Sequence, residues 1–402
     1  MRSQPNILYV STLCSKQTSD NLFFSANGKQ RLTAQKFHRL IVEGLILNNH
    51  QIDVLSSLPV SRSSHPRIFW KWHSERVESI WYHYPFFINL PVLRQVLIFL
   101  GGFLYTICWC IKNRNTEKVV ICDTLNIAIT LAARIATRIA GIKVIAIVTD
   151  LQKNMGAARN DNKHKKLLPK LITGFSSSFI NSFDYYVILT GQMNEVINTK
   201  KKPFIVMEGL VDIKMKELEH EELNDKEKVI IYAGGIYEKY GVRKLIDAFY
   251  NIKQKNVKLY IYGSGEMEKD MSFLMERDPR LKYFGMVANE IVVKMQLSAT
   301  LLINPRPTTD EFTKYSFPSK NMEYMVSGTP LVTTLLPGMP SEYNDFIYLL
   351  LNETVEGIQK VLRDLLNKPT HELSTFGKKA KRFVLDNKNN VIQSQRIMNL
   401  VE

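Results

Sequence analysis

The sequence predicts an α/β protein made of two doubly wound, Rossmann-like domains with parallel sheets. At 402 residues the chain is too long for one ordinary core and long enough for two domains of about 200 residues each. Apolar runs of strand length alternate with helical patterns in both halves, which is the order that parallel α/β domains require. A hydrophobic fraction of 45% and a charged fraction of 23% are typical of a globular protein. We therefore expect two packed α/β units.

The first half shows this alternation from its beginning. Strands are expected at 7–11, 52–55, 119–122, 143–148 and 187–190. Helices are expected at 32–48 and 125–140. A further segment, 96–111, has 16 residues without a charge, which is fewer than the roughly 20 needed to cross a bilayer. We expect a buried or monotopic helix there rather than a transmembrane one.

The second half repeats the pattern. Strands are expected at 229–233, 259–262, 281–284, 300–303 and 331–334. Helices are expected near 242–254, 266–276, 290–297 and 318–327. Open parallel sheets bind ligands beyond the carboxyl ends of their strands. The residues that follow these five strands are therefore the first candidates for a binding site.

The cysteines indicate the cellular compartment. Cys14, Cys108, Cys110 and Cys122 have neither the density of a disulfide framework nor paired metal-ligand spacing. The N-terminal apolar run is too short for a signal peptide and leads into a strand. The sequence therefore favours a protein of the reducing cytosol.

The net charge of +15 is concentrated in the first half. Residues 1–208 carry 26 Lys and Arg against 12 Asp and Glu, whereas residues 209–402 carry 27 against 26. The first half is therefore expected to face an anionic partner. Nucleic acid is one candidate, but the sequence has no helix-turn-helix, zinc-finger or RNA-recognition signature. We expect no nucleic-acid partner.

Aromatic residues accompany the basic charge of the first half. All four tryptophans lie between 70 and 109. Amphipathic rings beside basic side chains favour a bilayer interface, although a solvated basic face over buried aromatics is the alternative. The sequence predicts peripheral attachment to the inner face of the cell membrane. The residues expected to contribute are Trp70, Trp72, Lys163, Lys165 and Lys166.

The segment 315–332 is predicted to form a short helix with ligand-binding groups at its start. Ser316 is the expected N-cap, Pro318 suits the first turn, and Gly328 suits a left-handed C-terminal stop. The N–H groups and the positive dipole end of such a helix bind phosphate. The residue types together describe a nucleotide-diphosphate site.

Three side chains of this helix are candidates for donor binding. Ser319 and Glu323 share one face, Lys320 adds a positive charge, and Glu323 can accept hydrogen bonds from vicinal hydroxyls. An ordinary capped helix with a surface lysine has the same spacing. From the residue types alone, both interpretations stay open.

The run Phe-Pro-Ser-Lys-x-x-Glu-Tyr-x-x-Ser-Gly-x-Pro, which begins at Phe317, resembles the donor-site segment of family 4 glycosyltransferases. These are retaining enzymes of the GT-B fold, and the form is that seen in bacterial polysaccharide assembly. The resemblance implies two facing Rossmann-like domains and a nucleotide sugar as donor.

The resemblance extends to the loop 234–241, which is similar to the family's glycine turn with basic residues that hold the diphosphate. Gly234 and Gly235 form the turn, and Lys239 is the implied phosphate contact. Gly235 stands where arginine is usual in the family. Arg306, after the strand 300–303, is the candidate that restores this charge, because a guanidinium fits a diphosphate as a fork. A solvent-facing loop arginine is the alternative.

Three further donor-site positions follow from the same resemblance. Gly263 lies in a turn similar to a glycine turn of the family, and Val287 lies where the family's backbone meets the base. The family has paired glutamates in the pattern Glu-x7-Glu. Glu323 retains the second, which binds the ribose, whereas Tyr315 replaces the first, which the family places near the transferred sugar.

The resemblance also sets expectations for the domains. Asp150 ends a strand of the first half and is expected either to bond a sugar or acceptor hydroxyl or to cap the next helix. The segment 205–212 is similar to the family's passage between domains. We therefore expect an acceptor-binding domain at 1–207, a nucleotide-sugar-binding domain at 208–375, and a terminal helix at 376–402 that crosses back.

The implied activity is retaining transfer of a sugar from a UDP- or GDP-sugar to a hydroxyl of a lipid-linked glycan intermediate in bacterial surface polysaccharide synthesis. Lys239 and Lys320 would stabilise the leaving diphosphate. No cofactor is expected, and no metal, because the sequence has no Asp-x-Asp motif. A non-catalytic, nucleotide-sugar-binding subunit of a glycosyltransferase complex is the alternative.

Overall fold

The structure, a computed structural model, describes most of the chain as two compact units. The described residues are 4–25, 33–62, 64–151, 178–219 and 227–402. Contacts group Met1–Met207 with Asn390–Glu402 in the first unit, and Glu208–Asn389 in the second. Lys163, Lys165 and Lys166 lie outside the described residues, so their expected role stays a prediction.

The first unit is built on an eight-stranded sheet that is parallel apart from one edge. Its strand order is β10-β9-β8-β7-β1-β2-β5-β4, and only the β4–β5 pair is antiparallel. The strands of this unit are β1 (Asn6–Ser11), β2 (Ile52–Ser56), β3 (Phe69–Trp70), β4 (His73–Val77), β5 (Ile80–Tyr84), β6 (Phe87–Ile88), β7 (Lys118–Asp123), β8 (Val144–Val148), β9 (Tyr185–Ile188) and β10 (Phe204–Val206). All five predicted strands are present, although the one expected at 187–190 lies at Tyr185–Ile188, and the sequence did not predict β3, the β4–β5 hairpin, β6 or β10.

Within this hairpin region the structure separates the aromatic residues. Trp72 and Trp81 are exposed, whereas Trp70 is 8% exposed and stacks on Phe87 with ring centroids 5.7 Å apart. The ring of Trp70 is therefore not accessible for the membrane contact expected of it, because it is buried against Phe87 of the paired strand β6. Trp72 remains available.

Helices flank the first sheet. They are α1 (Lys16–Ser25), α2 (Thr33–Leu47), α3 (Pro91–Lys112), α4 (Ile127–Ile139) and α5 (Gly191–Ile197). By length and composition, α3 is the single helix of the described residues that is apolar enough to cross a membrane. One of its faces is buried in the unit. The helix is thus neither fully buried nor free of the fold.

The second unit is a six-stranded, all-parallel sheet. Its strands are β11 (Lys228–Ala233), β12 (Val257–Tyr262), β13 (Leu281–Tyr283), β14 (Leu301–Asn304), β15 (Leu331–Thr334) and β16 (Tyr348–Leu350). In the order β13-β12-β11-β14-β15-β16, strands are added on one side of β11 up to β13 and on its other side from β14 onward, so the strand order reverses between β11 and β14. This is the topological switch point at which doubly wound sheets bind ligands.

Helices cover both faces of the second sheet. They are α6 (Val242–Tyr250), α7 (Met271–Arg277), α8 (Asn289–Leu297), α9 (Ser319–Ser327), α10 (Val355–Leu366) and α11 (Thr370–Asn387). Successive side chains of β11 point to opposite faces of the sheet, as strand geometry requires. Ile230 packs in the hydrophobic core on one face, and Ile231 packs in the core on the other. The helix expected at 266–276 is a 3-10 turn, Glu266–Asp270, followed by α7. The helix expected at 242–254 ends at Tyr250, where the chain turns toward β12.

The chain returns to the first unit after α11. The last helix, α12 (Asn390–Met398), packs on α2, where Ser394 Oγ donates to Ile41 O at 3.0 Å. The division therefore lies at 389/390 rather than at 375/376, because α11 is one continuous helix of the second unit. The two ends of that unit are joined by a buried ion pair between Lys388 and Glu208, 3.2 Å apart.

Candidate functional site

The candidate site lies at the carboxyl ends of the second unit's strands, next to the switch point. Backbone hydrogen bonds connect the loops there: Gly234 N donates to Tyr262 O at 3.0 Å, and Gly263 N donates to Gly285 O at 2.8 Å. The loops after β11, β12 and β13 therefore form one continuous surface. The predicted glycine turns lie on it.

Glycine is required at position 263 for two reasons. Its φ angle is +127°, a backbone conformation that side chains rarely adopt. A Cβ there would lie 1.8 Å from Gly234 O. Position 235 is crowded as well, because a Cβ would lie 2.8 Å from the Tyr237 ring. An arginine at this position would require the Tyr237 ring to move.

Replacing Gly263 by alanine is expected to destabilise the second unit by about 1–3 kcal/mol from backbone strain, and further because the new methyl group overlaps Gly234 O. Gly285→Ala is the matched control: its φ angle is +68°, but the nearest atom to an added Cβ, in Tyr283, is 3.9 Å away. Thermal unfolding of both variants separates strain from overlap. Equal losses of stability would contradict the overlap.

Two cationic side chains meet on the ring of Tyr240. Lys239 and Tyr240 lie in a short 3-10 turn after β11, and Lys239 Nζ is 5.5 Å from the Tyr240 ring centroid. The loop after β14 places the Arg306 guanidinium 4.8 Å from the same centroid. The structure thus brings the two predicted phosphate ligands to the same aromatic ring.

Arg306 contacts two aromatic rings. Its guanidinium also lies 4.6 Å from the centroid of Phe312, and such stacking fixes the plane of the fork. Burial lowers the pKa of Arg306, yet arginine stays charged because its ordinary pKa is above about 12. Its buried Nε has no hydrogen-bond partner among the described residues. These contacts fit a ligand for an anion better than a solvent-facing loop arginine.

Helix α9 starts without a side-chain cap. Pro318 is the N-cap residue, and no side chain hydrogen-bonds to the first turn. The prediction that Ser316 caps the helix is wrong, because it follows a 3-10 turn, Glu311–Tyr315, in extended backbone and lies two residues before the actual N-cap, Pro318. The predicted end is confirmed by the left-handed Gly328, with φ of +84°. The uncapped start leaves backbone N–H groups for a ligand.

Lys320 and Glu323 form an ion pair on the first turns of α9. Lys320 Nζ donates to Glu323 Oε1 at 3.1 Å, and Gln296 Nε2 donates to the same oxygen at 3.2 Å. The Glu323 side chain is 12% exposed and that of Lys320 is 37% exposed. The two charged groups therefore lie together at the start of α9, with Lys320 the more accessible of them. Ribose hydroxyls can donate to this carboxylate while a phosphate accepts from this lysine.

Sequence reasoning missed the residues that hold α9 against the sheet. Tyr324 receives the backbone N–H of Ala233 at 2.7 Å and donates to Ala233 O at 3.0 Å. Asn304 Nδ2 donates to Asn321 Oδ1 at 2.7 Å. The end of β11, the end of β14 and the start of α9 are thus fixed to one another. Tyr324 belongs to the Glu-Tyr pair of the motif, which was the signal available for it.

The remaining donor-site candidates lie around this centre. Tyr315 is partly exposed at the end of its 3-10 turn, and Ser319 is exposed at the start of α9. Val287 is partly buried against the core. Near it, the Phe284 ring stacks on Tyr262 with centroids 4.8 Å apart and is 45% exposed. An accessible aromatic face therefore lies close to the expected base position.

Asp150 lies in the first unit, directly after β8. Burial raises the pKa of Asp150, and a hydrogen bond from the backbone of Leu151 opposes that rise. The segment 152–177, which was expected to supply the next helix, lies outside the described residues. Both interpretations of Asp150 therefore stay open.

Comparison with known families bears on the second unit. The family model Glycosyl transferases group 1 matches residues 214–383, which lie within that unit. The chain carries a glycosyltransferase group 1 domain. The glycine turns, Lys239, Arg306 and α9 all lie inside this domain. Among curated protein sequences, none matches the chain.

Solved structures match the chain over nearly its whole length. Sucrose-phosphate synthase from Thermosynechococcus elongatus matches with a TM-score of 0.66 and 10% identity, covering 98% of this chain and 99% of that one. Anabaena HepE in complex with UDP has a TM-score of 0.62 and 12% identity, with coverage of 98% and 99%. The lipopolysaccharide outer core galactosyltransferase WaaB has a TM-score of 0.60 and 15% identity, again with coverage of 98% and 99%. These likenesses confirm the predicted GT-B fold for the chain, which includes the glycosyltransferase group 1 domain.

Proposed function

We propose that the chain is a retaining glycosyltransferase that moves a sugar from a UDP- or GDP-sugar to a hydroxyl of a lipid-linked glycan intermediate in bacterial surface polysaccharide synthesis. The observation that carries the proposal is the meeting of Lys239 and Arg306 on Tyr240, in the same glycosyltransferase group 1 domain as the Lys320–Glu323 pair. Three cations and an uncapped helix start match a diphosphate, and one carboxylate matches a ribose.

Catalysis in this proposal is electrostatic. The acceptor hydroxyl oxygen bonds to the anomeric carbon while the bond from that carbon to the phosphate oxygen breaks, and the hydroxyl proton passes to the departing phosphate. Lys239, Lys320 and Arg306 stabilise the charge that develops on the diphosphate. The attack comes from the face that the diphosphate leaves, so no side chain acts as nucleophile.

The first unit has the acceptor role in the proposal. Its excess of basic residues suits an anionic membrane surface and a polyprenyl-linked acceptor. We assign Asp150, which is partly buried and directly follows β8, to a sugar or acceptor hydroxyl. The protein is then cytoplasmic and peripherally attached to the inner face of the cell membrane.

A two-step experiment tests the function. A thermal-shift screen of UDP- and GDP-sugars identifies the donor, and transfer to a polyprenyl-linked acceptor with that donor tests catalysis. Binding without any transfer would favour the non-catalytic subunit, which Tyr315 and Gly235 support because each replaces a charged residue of the family's pattern. Absence of binding for every nucleotide sugar would contradict both functions.

Transfer is expected to survive an excess of EDTA. In the part of the chain that the structure describes, no group of three or more His, Cys, Asp or Glu is arranged to hold a metal ion. Lysine, arginine and the helix dipole meet the diphosphate charge instead. Initial rates with EDTA, and with Mg²⁺ or Mn²⁺ added back, provide the measurement. Strict dependence on either cation would overturn this part of the mechanism.

A further inference from the structure

Helix α3 has two apolar faces, and within the described part of the chain only one of them is covered. The covered face packs on α4, where a Cβ at Gly102 would lie 3.2 Å from Ile129 Cγ1. Its buried residues are Ile98, Gly102, Thr106, Trp109 and Cys110. The opposite face is exposed and consists of Leu93, Val96, Leu100, Leu104, Cys108 and Ile111. We call this second set the α3 exposed face.

The α3 exposed face is long and accessible. The helix has 22 residues, which corresponds to about 33 Å. Leu104 and Ile111 are 62% and 61% exposed, and Leu100 is 49% exposed. An apolar strip of this length on a soluble unit marks an interaction surface. Because the other face is packed along the helix, α3 presents this strip while it remains part of the fold.

Aromatic side chains extend the apolar strip. The Trp72 ring lies 5.9 Å from the ring of Tyr105 on α3 and is 43% exposed. The neighbouring Phe69 and Phe86 are also exposed. Aromatic rings of this kind favour the headgroup region of a bilayer. The buried Trp70 takes no part.

Charge selects the occupant of this surface. Residues 61–118 contain eight Lys and Arg against three Asp and Glu. Lys71 precedes Trp72, Lys112 ends α3 and Arg114 follows, and all three are exposed. Two copies of the chain docked through this region would bring like charges together, whereas an anionic lipid surface would attract them.

We propose that the α3 exposed face docks on an anionic lipid bilayer, with the helix lying along the membrane surface. This deepens the membrane attachment in the proposed function and does not depend on glycosyl transfer. Leucines enter the boundary between headgroups and acyl chains, and the flanking cations remain among the headgroups. The surface replaces the assignment of membrane contact to Trp70.

Cys108 allows a direct test in the full chain. It lies on the α3 exposed face and is the exposed one of the four cysteines, the other three being buried. The wild-type protein can therefore be labelled there with bimane. On vesicles with phosphatidylglycerol, we expect a blue shift of the label and quenching by brominated acyl chains. A label that stays water-exposed on bound protein would overturn the proposal.

A pair of charge-matched variants provides the second test. Leu100→Asp with Leu104→Asp should lower the vesicle partition coefficient by about tenfold or more, because two apolar side chains are lost from the contact. Phe273→Asp with Ile291→Asp is the control, since it adds the same charge at exposed apolar residues of the second unit. The control should bind vesicles nearly as well as the wild type, with only the small loss that two added negative charges cause. Thermal unfolding checks that both variants are folded.

The outcomes separate this inference from the proposed function. Equal vesicle binding of the two double variants would contradict docking through the α3 exposed face, but it would not contradict membrane attachment through another surface. A wild-type protein that binds no vesicles at low salt would overturn both the attachment and this surface, while nucleotide-sugar binding would still test the donor site. A stable dimer in sedimentation that the Leu100→Asp, Leu104→Asp variant dissociates would show that a second copy occupies the face instead.

Discussion

Arg306→Ala is expected to lower kcat by about 100-fold or more while the nucleotide sugar still binds. The guanidinium packs against the rings of Tyr240 and Phe312, so it is in place before the diphosphate leaves. Negative charge on that group grows in the transition state, and removing one preorganised donor typically costs a factor of about 100 to 1,000 in kcat. Single-turnover transfer at saturating donor measures this step.

Two further variants sharpen this test. Arg306→Lys keeps the charge but loses the planar fork, so its kcat should lie between those of the wild type and Arg306→Ala. Arg277→Ala is the control, because the Arg277 guanidinium lies 4.5 Å from the Tyr250 ring in the same unit but is not among the site residues. A wild-type kcat for Arg306→Ala would remove Arg306 from the mechanism and leave the loop's charge to Lys239.

The fold was predictable where strands are buried on both faces. Such strands read as continuous apolar runs, and Val119–Cys122, for example, is buried throughout. The β4–β5 hairpin is different. β4 is an edge strand with polar, exposed residues, and β5 alternates exposed and buried aromatics between Trp81 and Tyr84. The aromatic and basic composition of this region suggested a membrane surface. Its alternation of exposed and buried residues is instead that of a β-strand.

The donor site was predictable only where it is local in sequence. Lys320 and Glu323 lie three residues apart on one helix, so spacing alone places them on the same side. Phe312 is close to Arg306 in sequence, but Tyr240 lies in a loop far away along the chain, and no spacing rule brings that ring to the guanidinium. The prediction for Ser316 was local in sequence and still wrong. Serine favours the N-cap position, but the 3-10 turn before α9 places Pro318 there instead.

Glu323→Ala and Lys320→Ala are each expected to lower kcat/KM more than tenfold. Each substitution removes a charged partner of the nucleotide, a loss on the order of 1.5–3 kcal/mol. The ribose contact of Glu323 is present both in the bound state and in the transition state, so its loss should raise KM more than it lowers kcat. Steady-state transfer rates over a range of donor concentrations separate the two constants.

The ion pair makes the two effects non-additive. Because Lys320 and Glu323 lie 3.1 Å apart, the double variant should lose less than the product of the single losses. Glu372→Ala is the matched control: Glu372 pairs with Lys368 four residues away on the surface of the same unit, and such exposed pairs contribute about 0–1 kcal/mol. We expect it to keep wild-type kcat/KM. Wild-type donor binding in both Glu323→Ala and Lys320→Ala would refute the assignment of α9 to the nucleotide.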